Sequence, residues 1–468
     1  MTRQAALAMP PARTPAAATT FSLPWAAATV LTMAGLTPIM VISKTPAHGG
    51  SWPWSLAIVV VSGTLYGLLV GRGERRLYTM TILLFVYVFL GLAPLVQIRT
   101  DSYPSTAQAL LTGLNLKAQI VVCVGALAGV LGFLANGGRP VDASEERVID
   151  ERRTYVAGTV VLIVAWYSIL TVGLPVWFET RDELGVARAS IWTNSTVNVM
   201  LTATSSVALL MTILALQRIR AQKRDQPRTA ANLLLLVQLL TLAITVNPIS
   251  SPRFLFGTVA LSLMAMTGCF SRPGRFRVSA ISILVALVLL FPYADAFRHT
   301  RPTDGLGDGK GGTLTSLTSG DYDAFAQINN TVYYVDTAGI TNGRQFLGVV
   351  LFWVPRSVWP HKPQDTGIVL AESRHYAFDN IAAPLWAELL INASWPGLIL
   401  GMGVLGWFTR LWDRRAVLSP RNSIVATVLP FYMILLLRGS LLAATANLIV
   451  ILAVAAYVQV RPNTEMST

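Results

Sequence analysis

The chain has 468 residues, of which 53% are hydrophobic and 13% are charged, about half the charged fraction of an ordinary soluble domain. This composition excludes a water-soluble globular protein. The net charge of +13 does not indicate a nucleic-acid partner, because the basic residues lie in short stretches between apolar blocks. Cys123 and Cys269 lie far apart in or beside such blocks, so neither a disulfide framework nor a metal site is predicted.

The apolar blocks are the length that a lipid bilayer requires, and they should be helices because unpaired backbone amides are costly in hydrocarbon. No ten-residue alternation typical of a membrane β-barrel occurs. The sequence predicts an all-α polytopic membrane protein with about twelve spans, two tails at 1–20 and 461–468, a loop at 294–380, and spans within 21–293 and 381–460. The predicted spans are residues 21–43, 54–70, 78–97, 118–135, 155–177, 197–216, 230–246, 254–270, 278–293, 381–408, 423–437 and 440–459.

The orientation is predicted from the lysines and arginines in the short connections. The tails and alternate connections carry 22 of the 36 basic residues, whereas the opposite short connections carry seven. This bias predicts that both termini lie in the cytoplasm. Arg438 and Gly439 are interpreted as a tight turn between the last two spans, because arginine is costly within the membrane and glycine permits a sharp turn.

One predicted outer connection, residues 294–380, is about ninety residues long and holds seven basic and nine acidic residues. Loops of this length in compact proteins are usually functional or disordered. Its first part, residues 301–321, is rich in Gly, Ser and Thr and is predicted to be flexible. Its later part, residues 345–363, is apolar and aromatic and is predicted to lie at the membrane interface.

Arginines recur at the predicted outer ends of the helices, where Arg181, Arg253, Arg356 and Arg438 are found. The planar guanidinium group matches phosphate oxygens with two parallel hydrogen bonds, so these residues are candidates for binding a lipid-linked pyrophosphate. Alternatively, each arginine anchors its helix at the interface or pairs with an acid. For Arg253, in a tight turn between two spans, no acid lies nearby in the sequence.

The segment 354–367 combines three prolines with Arg356, His361, Lys362 and Asp365. Histidine titrates near neutral pH, and a neighbouring lysine favours its neutral form, so His361 is a candidate general base. The alternative is an interfacial loop whose charges face water.

Glu388 and Asn392 lie four residues apart in the tenth predicted span, and this spacing places them on one helical face. An acid within a span is a candidate functional residue. The alternative role is a buried partner for one of the arginines.

Four short motifs together resemble a known family. They are the SSPRF turn between two central spans, the PRSVWPHKP segment that ends at Pro363, the ExxxNxxxxG run from Glu388 to Gly397, and the RGS sequence before the final span. In order and placement they resemble the Wzy-type oligosaccharide repeat-unit polymerases (the O-antigen polymerase family). The resemblance covers roughly residues 150–460.

The resemblance implies a C-type glycosyltransferase-like membrane enzyme that joins undecaprenyl-diphosphate-linked repeat units on the outer leaflet. Its partners would be the lipid-linked oligosaccharide and membrane lipids, and a chain-length regulator is left open. No metal or cofactor is expected, since the activated sugar is carried by the lipid. The implied roles are pyrophosphate binding by Arg181, Arg253, Arg356 and Arg438, base catalysis by Glu388 or His361, and sugar binding by Asn392, Lys362 and Asp365.

Three other functions remain open. A polyprenyl-phosphate-dependent glycosyltransferase normally carries an acidic pair in its first outer loop, and residues 44–53 contain no acid. A ligase of the O-antigen type would share the topology. A transporter or flippase would favour internal repeats, which are not evident. The sequence contains no GxxxxGK[ST] or HExxH motif, so ATP-driven transport and zinc proteolysis have no support.

Overall fold

A computed structural model describes residues 20–107, 110–137, 147–222, 229–290, 313–379, 381–418 and 423–460. These residues are almost wholly helical. The strands in this part of the chain are β1 (Val148–Ile149) and β2 (Gln459–Val460), which pair antiparallel. The predicted tails lie outside the described residues, apart from Thr20.

Within these described ranges, eight helices are long and apolar enough to cross a membrane, so the chain is a helical membrane protein, as the sequence predicts. The eight are α1 (Leu23–Lys44), α2 (Trp52–Arg72), α3 (Leu77–Thr100), α4 (Asn115–Ala135), α5 (Glu151–Val172), α7 (Ser195–Gln222), α14 (Leu385–Leu418) and α16 (Leu441–Val458). The other helices are α6 (Arg181–Ile191), α8 (Thr229–Thr245), α9 (Arg253–Met266), α10 (Pro273–Val285, continued by a π-helical turn over Ala286–Leu290), α11 (Ala324–Ala338), α12 (Arg344–Val350), α13 (Thr366–Ser373) and α15 (Val425–Arg438).

Each of the twelve predicted spans overlaps a helix within the described residues, although the boundaries differ by several residues, and the number of helices that cross the membrane stays a prediction. The tenth predicted span, residues 381–408, overlaps α14, which is broken at Ala393 and Ser394. Ser394 adopts φ 54° and ψ −151°, a region that non-glycine residues rarely occupy and that often marks functional sites. Pro396 follows closely and disfavours helical geometry in the residue before it.

The break in α14 frees two backbone carbonyl groups that a continuous helix would use. The carbonyl oxygens of Ile391 and Asn392 accept hydrogen bonds from the N–H groups of Thr341 (2.8 Å) and Gly343 (3.0 Å). The turn before α12 therefore supplies the donors that the broken helix lacks, as buried backbone groups require.

α4 and α14 are in direct backbone contact through glycines. A Cβ atom on Gly132 would lie 1.9 Å from the carbonyl oxygen of Gly403, and one on Gly406 would lie 1.9 Å from that of Gly129. Small residues allow such close approach in membrane proteins. This contact fixes α14, which carries Glu388.

The segment predicted as an outer loop contains a buried helix. Residues 324–332 of α11 are all buried, and they contact α4 and α14. The side-chain amides of α11 donate inside the protein: Gln327 donates to the carbonyl oxygen of Thr106 (3.1 Å), and Asn329 donates to Asn115 Oδ1 (3.0 Å). Part of the predicted outer connection therefore lies inside the helix bundle, where its amides form hydrogen bonds.

Connections predicted to share one side of the membrane meet in the structure. At one end, Asp413 accepts hydrogen bonds from the N–H groups of Tyr78 and Thr79 (both 3.0 Å), and Arg277 donates to the carbonyl oxygen of Gly71 (3.0 Å). At the other end, Lys117 pairs with Asp336. The helix ends are therefore grouped as the sequence predicts, while the side of the membrane that each group faces stays a prediction.

α15 ends at Arg438 and α16 begins at Leu441. The conformational freedom of glycine does not explain this turn, because Gly439 has an ordinary φ of −82°. A Cβ atom there would lie 2.9 Å from the carbonyl oxygen of Leu435. The turn therefore requires glycine at this position because a larger residue would clash with the Leu435 carbonyl group.

Candidate functional site

A polar cavity of about 440 Å³ lies at the end of the bundle that the sequence predicts to face outward. Three arginines and four aspartates are among the residues that line it: Arg181, Arg253, Arg438, Asp321, Asp323, Asp365 and Asp379. Four helices begin at its wall, since Arg181, Arg253 and Ser440 stand at the starts of α6, α9 and α16 and Asp365 precedes α13. Helix N-termini carry partial positive charge, so the site combines fixed cations with acids.

A rigid turn presents Arg253. Before α9 the chain is held by Asn247, whose Oδ1 accepts from the N–H groups of Ile249 (3.0 Å) and Ser250 (2.9 Å). Its Nδ2 donates to the carbonyl oxygen of Trp177 (2.9 Å). A side chain that caps its own turn in this way is typical of asparagine. The turn places Arg253 at the cavity, where its guanidinium group forms an ion pair with Asp321.

The expectation that Arg253 has no acid nearby was therefore wrong. Asp321 follows it by 68 residues along the chain, so local sequence could not reveal the pair. The prediction that residues 301–321 are flexible was also wrong for its described part: residues 313–316 are helical, and Asp321 is buried. Residues 301–312 lie outside the described part.

Arg438 reaches the same segment from the end of α15. Its Nε donates to the carbonyl oxygen of Asp321, and its Nη2 donates to the carbonyl oxygen of Gly320 and to Asp323 Oδ1, each at 3.0 Å. The guanidinium carbon lies 4.7 Å from the centre of the Phe254 ring, a cation–π distance. Nη1 has no hydrogen-bond partner among the residues that the structure describes.

Asp323 is 1% exposed, and burial raises its pKa. Arg438 opposes this rise, as do hydrogen bonds from Thr106 and Gln327. The Thr106 hydroxyl donates to Asp323 Oδ2 at 3.1 Å. A buried carboxylate persists when it is paired and hydrogen-bonded, so Asp323 anchors the Arg438 guanidinium group in the cavity wall.

Asp365 caps the N-terminus of α13 by accepting a hydrogen bond from the Gly367 N–H (2.9 Å). Burial raises the pKa of Asp365, and the nearby Asp379 raises it further, whereas the Ser440 hydroxyl and the Gly367 N–H lower it. A carboxylate whose pKa is displaced toward neutrality is suited to general-base catalysis. Among the described residues, no arginine or lysine forms an ion pair with Asp365.

Glu388 lies behind the cavity wall and does not line it. Its Oε2 accepts from the Thr366 hydroxyl (2.8 Å), and its Oε1 accepts from the Leu441 N–H (3.0 Å). The Ser440 hydroxyl lies beside both Glu388 and Asp365. No ion pair joins Glu388 to an arginine in the described part of the chain, so the alternative of a buried partner for arginine was wrong. A direct catalytic role for Glu388 stays a prediction.

Arg356, His361 and Lys362 do not line the cavity, so the expected convergence with the other arginines was wrong for them. Lys362 Nζ donates to the carbonyl oxygen of Val354 (3.0 Å), and Arg356 Nη1 donates to that of Lys362 (2.9 Å). His361 is exposed. The prolines stabilise a compact turn, and backbone carbonyl groups accept the bonds that the sequence assigned to substrate.

Asn392 is also placed away from the cavity. It is fully buried, its Nδ2 donates to the carbonyl oxygen of Glu388 (2.8 Å), and its Oδ1 accepts from the Thr341 hydroxyl and the Phe346 N–H (both 3.2 Å). In this structure Asn392 stabilises the break in α14, and its predicted sugar contact stays a prediction.

Asp321 and Asp323 are the acids that the sequence interpretation missed. Both lie in the sequence GDYDAFAQINN (residues 320–330). Two acids directly before an amide-rich helix were a usable signal, because buried amides need buried partners.

No group of three or more His, Cys, Asp or Glu residues that could hold a metal ion was found within the described ranges. Comparison with protein families, curated proteins and solved structures gave no match to this chain.

Proposed function

We propose that this chain is a twelve-span glycosyltransferase of the plasma membrane, with both termini in the cytoplasm. In this proposal it polymerises oligosaccharide repeat units linked to undecaprenyl diphosphate. The observation that carries the proposal is the outward-end cavity in which Arg181, Arg253 and Arg438 meet Asp365. Guanidinium groups suit a diphosphate leaving group, and a carboxylate suits a sugar hydroxyl.

The arginines would hold the diphosphate of the growing chain. Asp321 and Asp323 fix the guanidinium groups of Arg253 and Arg438 before substrate arrives, so little reorganisation is required when the anion binds. Nη1 of Arg438 and the N-termini of α6 and α9 supply further donors and positive potential.

Asp365 would activate the acceptor. The hydroxyl oxygen of the incoming unit attacks the anomeric carbon of the growing chain, and its proton passes to the Asp365 carboxylate. The bond between the anomeric carbon and the diphosphate oxygen breaks with its electron pair, and the polyprenyl diphosphate leaves on the arginines.

The orientation can be tested with single cysteines in a background that lacks Cys123 and Cys269. Ser357→Cys is expected to react with a membrane-impermeant maleimide in intact cells, because residue 357 lies in the predicted outer connection. Gln222→Cys is expected to react only after the cells have been lysed. Both positions are exposed, so the measurement reports sidedness. Reversed labelling would overturn the topology.

The function is tested by deleting the gene and examining the lipid carrier. Loss of a polymerase leaves single repeat units on the carrier, detectable by mass spectrometry of extracted lipids, and restoring the gene restores a ladder of chain lengths. Long polymer stranded on the carrier would instead identify a ligase. Normal surface glycans would refute the proposal.

A transporter is the second candidate, and the break in α14 favours it. Transporters use interrupted helices near the membrane midplane to bind substrates, and Glu388 and Asn392 directly precede the break. The deletion experiment separates the two functions, since a transporter mutant would lose uptake of a solute while its glycans stay normal.

A further inference from the structure

A second cavity lies within the membrane-spanning part of the protein, away from the polar site. It is a groove of about 690 Å³ between α2, α3, α4 and α14. Most of its lining is aliphatic, with Leu65, Val61 and Leu127 among the exposed residues that open it toward lipid. The proposed reaction does not use this groove.

The polar groups within the groove are satisfied by the protein itself. The Ser62 hydroxyl donates to the carbonyl oxygen of Ile58 (2.5 Å), the Thr409 hydroxyl to that of Leu405 (2.7 Å), and the Thr79 hydroxyl to Asp413 (2.5 Å). Between its two ends the groove therefore offers no unsatisfied polar group to water. Its natural occupant in a bilayer is a hydrocarbon chain.

The groove is basic at one end. Arg72 and Arg76 line that end, and Arg410 lies beside it with its guanidinium carbon 5.3 Å from the Phe133 ring centre. Arg76 pairs with Glu74, but Arg72 is exposed and has no hydrogen-bond or ion-pair partner among the described residues. The positive charge is therefore available to an anionic headgroup.

Trp54 lines the opposite end of the groove. The helix rises about 27 Å between Trp54 and Arg72, close to the hydrocarbon thickness of about 30 Å. An acyl chain that enters beside Arg72 would therefore fill the half of the groove nearest to it and end near the midplane.

Glycines form part of the groove floor. Gly129 and Gly406 both line it, and their helices touch there. A Cβ atom on Gly129 would meet its nearest neighbour, the carbonyl oxygen of Met402, at 3.7 Å, which is ordinary van der Waals contact. The Cβ atom of a larger residue at position 129 therefore fits beside α14 without a clash.

We propose that this groove binds an anionic phospholipid, with one acyl chain between α2, α3, α4 and α14 and the phosphate at Arg72. The lipid belongs to the leaflet that faces the basic end of the bundle, which in the proposed topology is the cytoplasmic leaflet. Anionic lipids enrich that leaflet and attract basic residues beside the membrane. The inference needs membrane insertion alone and does not depend on the proposed reaction.

The test is native mass spectrometry of the purified full chain, titrated with phosphatidylglycerol or phosphatidylcholine. The chain is expected to retain phosphatidylglycerol preferentially, and Arg72→Gln is expected to weaken this retention about fivefold, the factor that corresponds to about 1 kcal/mol for one arginine near an anionic surface. Arg152→Gln is the matched control, because Arg152 is exposed at the start of α5 and does not line the groove.

Gly129→Leu should reduce retention of both phospholipids, whereas Val160→Leu on the exposed face of α5 should not. Equal retention of the two headgroups, or equal losses for Arg72→Gln and Arg152→Gln, would overturn the headgroup assignment. Unchanged retention in Gly129→Leu would overturn the groove as the site. A dimer that dissociates in Gly129→Leu would also overturn the proposal, because a second copy would then occupy the groove.

Discussion

Replacing Asp365 with asparagine is expected to reduce polymer formation by about 10²–10⁴-fold, the usual contribution of a general base. Asparagine is nearly isosteric, and its carbonyl oxygen can accept the Gly367 N–H bond that Asp365 accepts at 2.9 Å. Asparagine also caps helices as well as aspartate does. The fold should therefore persist while the proton acceptor is lost.

The measurement uses purified protein and lipid-linked repeat units extracted from the deletion strain, with product length as the readout. Asp336→Asn is the matched control, since Asp336 is exposed and pairs with Lys117 outside the cavity. Its activity should stay close to that of the parent. Full activity in Asp365→Asn would remove Asp365 from the mechanism.

The same assay separates the candidate bases. Glu388→Gln keeps an acceptor for the Leu441 N–H and should lower activity less than Asp365→Asn, because Glu388 does not line the cavity. His361→Gln should have little effect, because His361 is exposed away from the cavity. A larger loss in either of these variants would transfer the role of base to that residue.

The pH profile provides a second readout for Asp365. Burial raises its pKa above the ordinary aspartate value. A base must be deprotonated to act, so activity is expected to fall as the pH is lowered through this raised pKa. The acidic limb should therefore appear at higher pH than for an exposed aspartate. The residual activity of Asp365→Asn should lack this limb.

The helices could be predicted from sequence because bilayer thickness fixes their length and hydrocarbon forbids unpaired backbone groups. The positions of the basic residues predicted which helix ends lie together. The break at Ser394 could not be predicted, because the apolar pattern of WAELLINASWPG continues across it. The only local indication was Pro396, which membrane helices often tolerate.

The arginines of the site could be predicted from the sequence, but their acidic partners could not, because those partners are distant in the sequence. Arg181, Arg253 and Arg438 stand at helix ends, where apolar blocks stop, so composition alone revealed them. Their partners Asp321 and Asp323 lie in a connection that resembles flexible sequence. Pairing across about one hundred residues depends on helix packing, which periodicity does not encode. Conversely, Arg356 and Lys362 of the PRSVWPHKP segment donate hydrogen bonds to nearby backbone carbonyl groups.

Replacing Arg438 with leucine is expected to destabilise the protein by about 3–5 kcal/mol, because it leaves the buried Asp323 carboxylate without its cation. The ion pair is 3.0 Å long, and the two side chains are 17% and 2% exposed. The loss can be measured as a lowered midpoint of thermal unfolding in detergent. Lys117→Ala is the contrasting control, since it breaks an exposed pair and should cost about 0–1 kcal/mol.

Stability and function are separated by adding Asp323→Asn to the Arg438→Leu variant. The neutral amide needs no cation and can still accept the Thr106 hydroxyl bond that Asp323 accepts at 3.1 Å, so most of the lost stability should return. Polymer formation should not return, because the guanidinium group proposed to hold the diphosphate is absent. A double variant that is both stable and active would show that Arg438 is structural. A stable, inactive double variant would place Arg438 at the substrate, in the cavity that it lines.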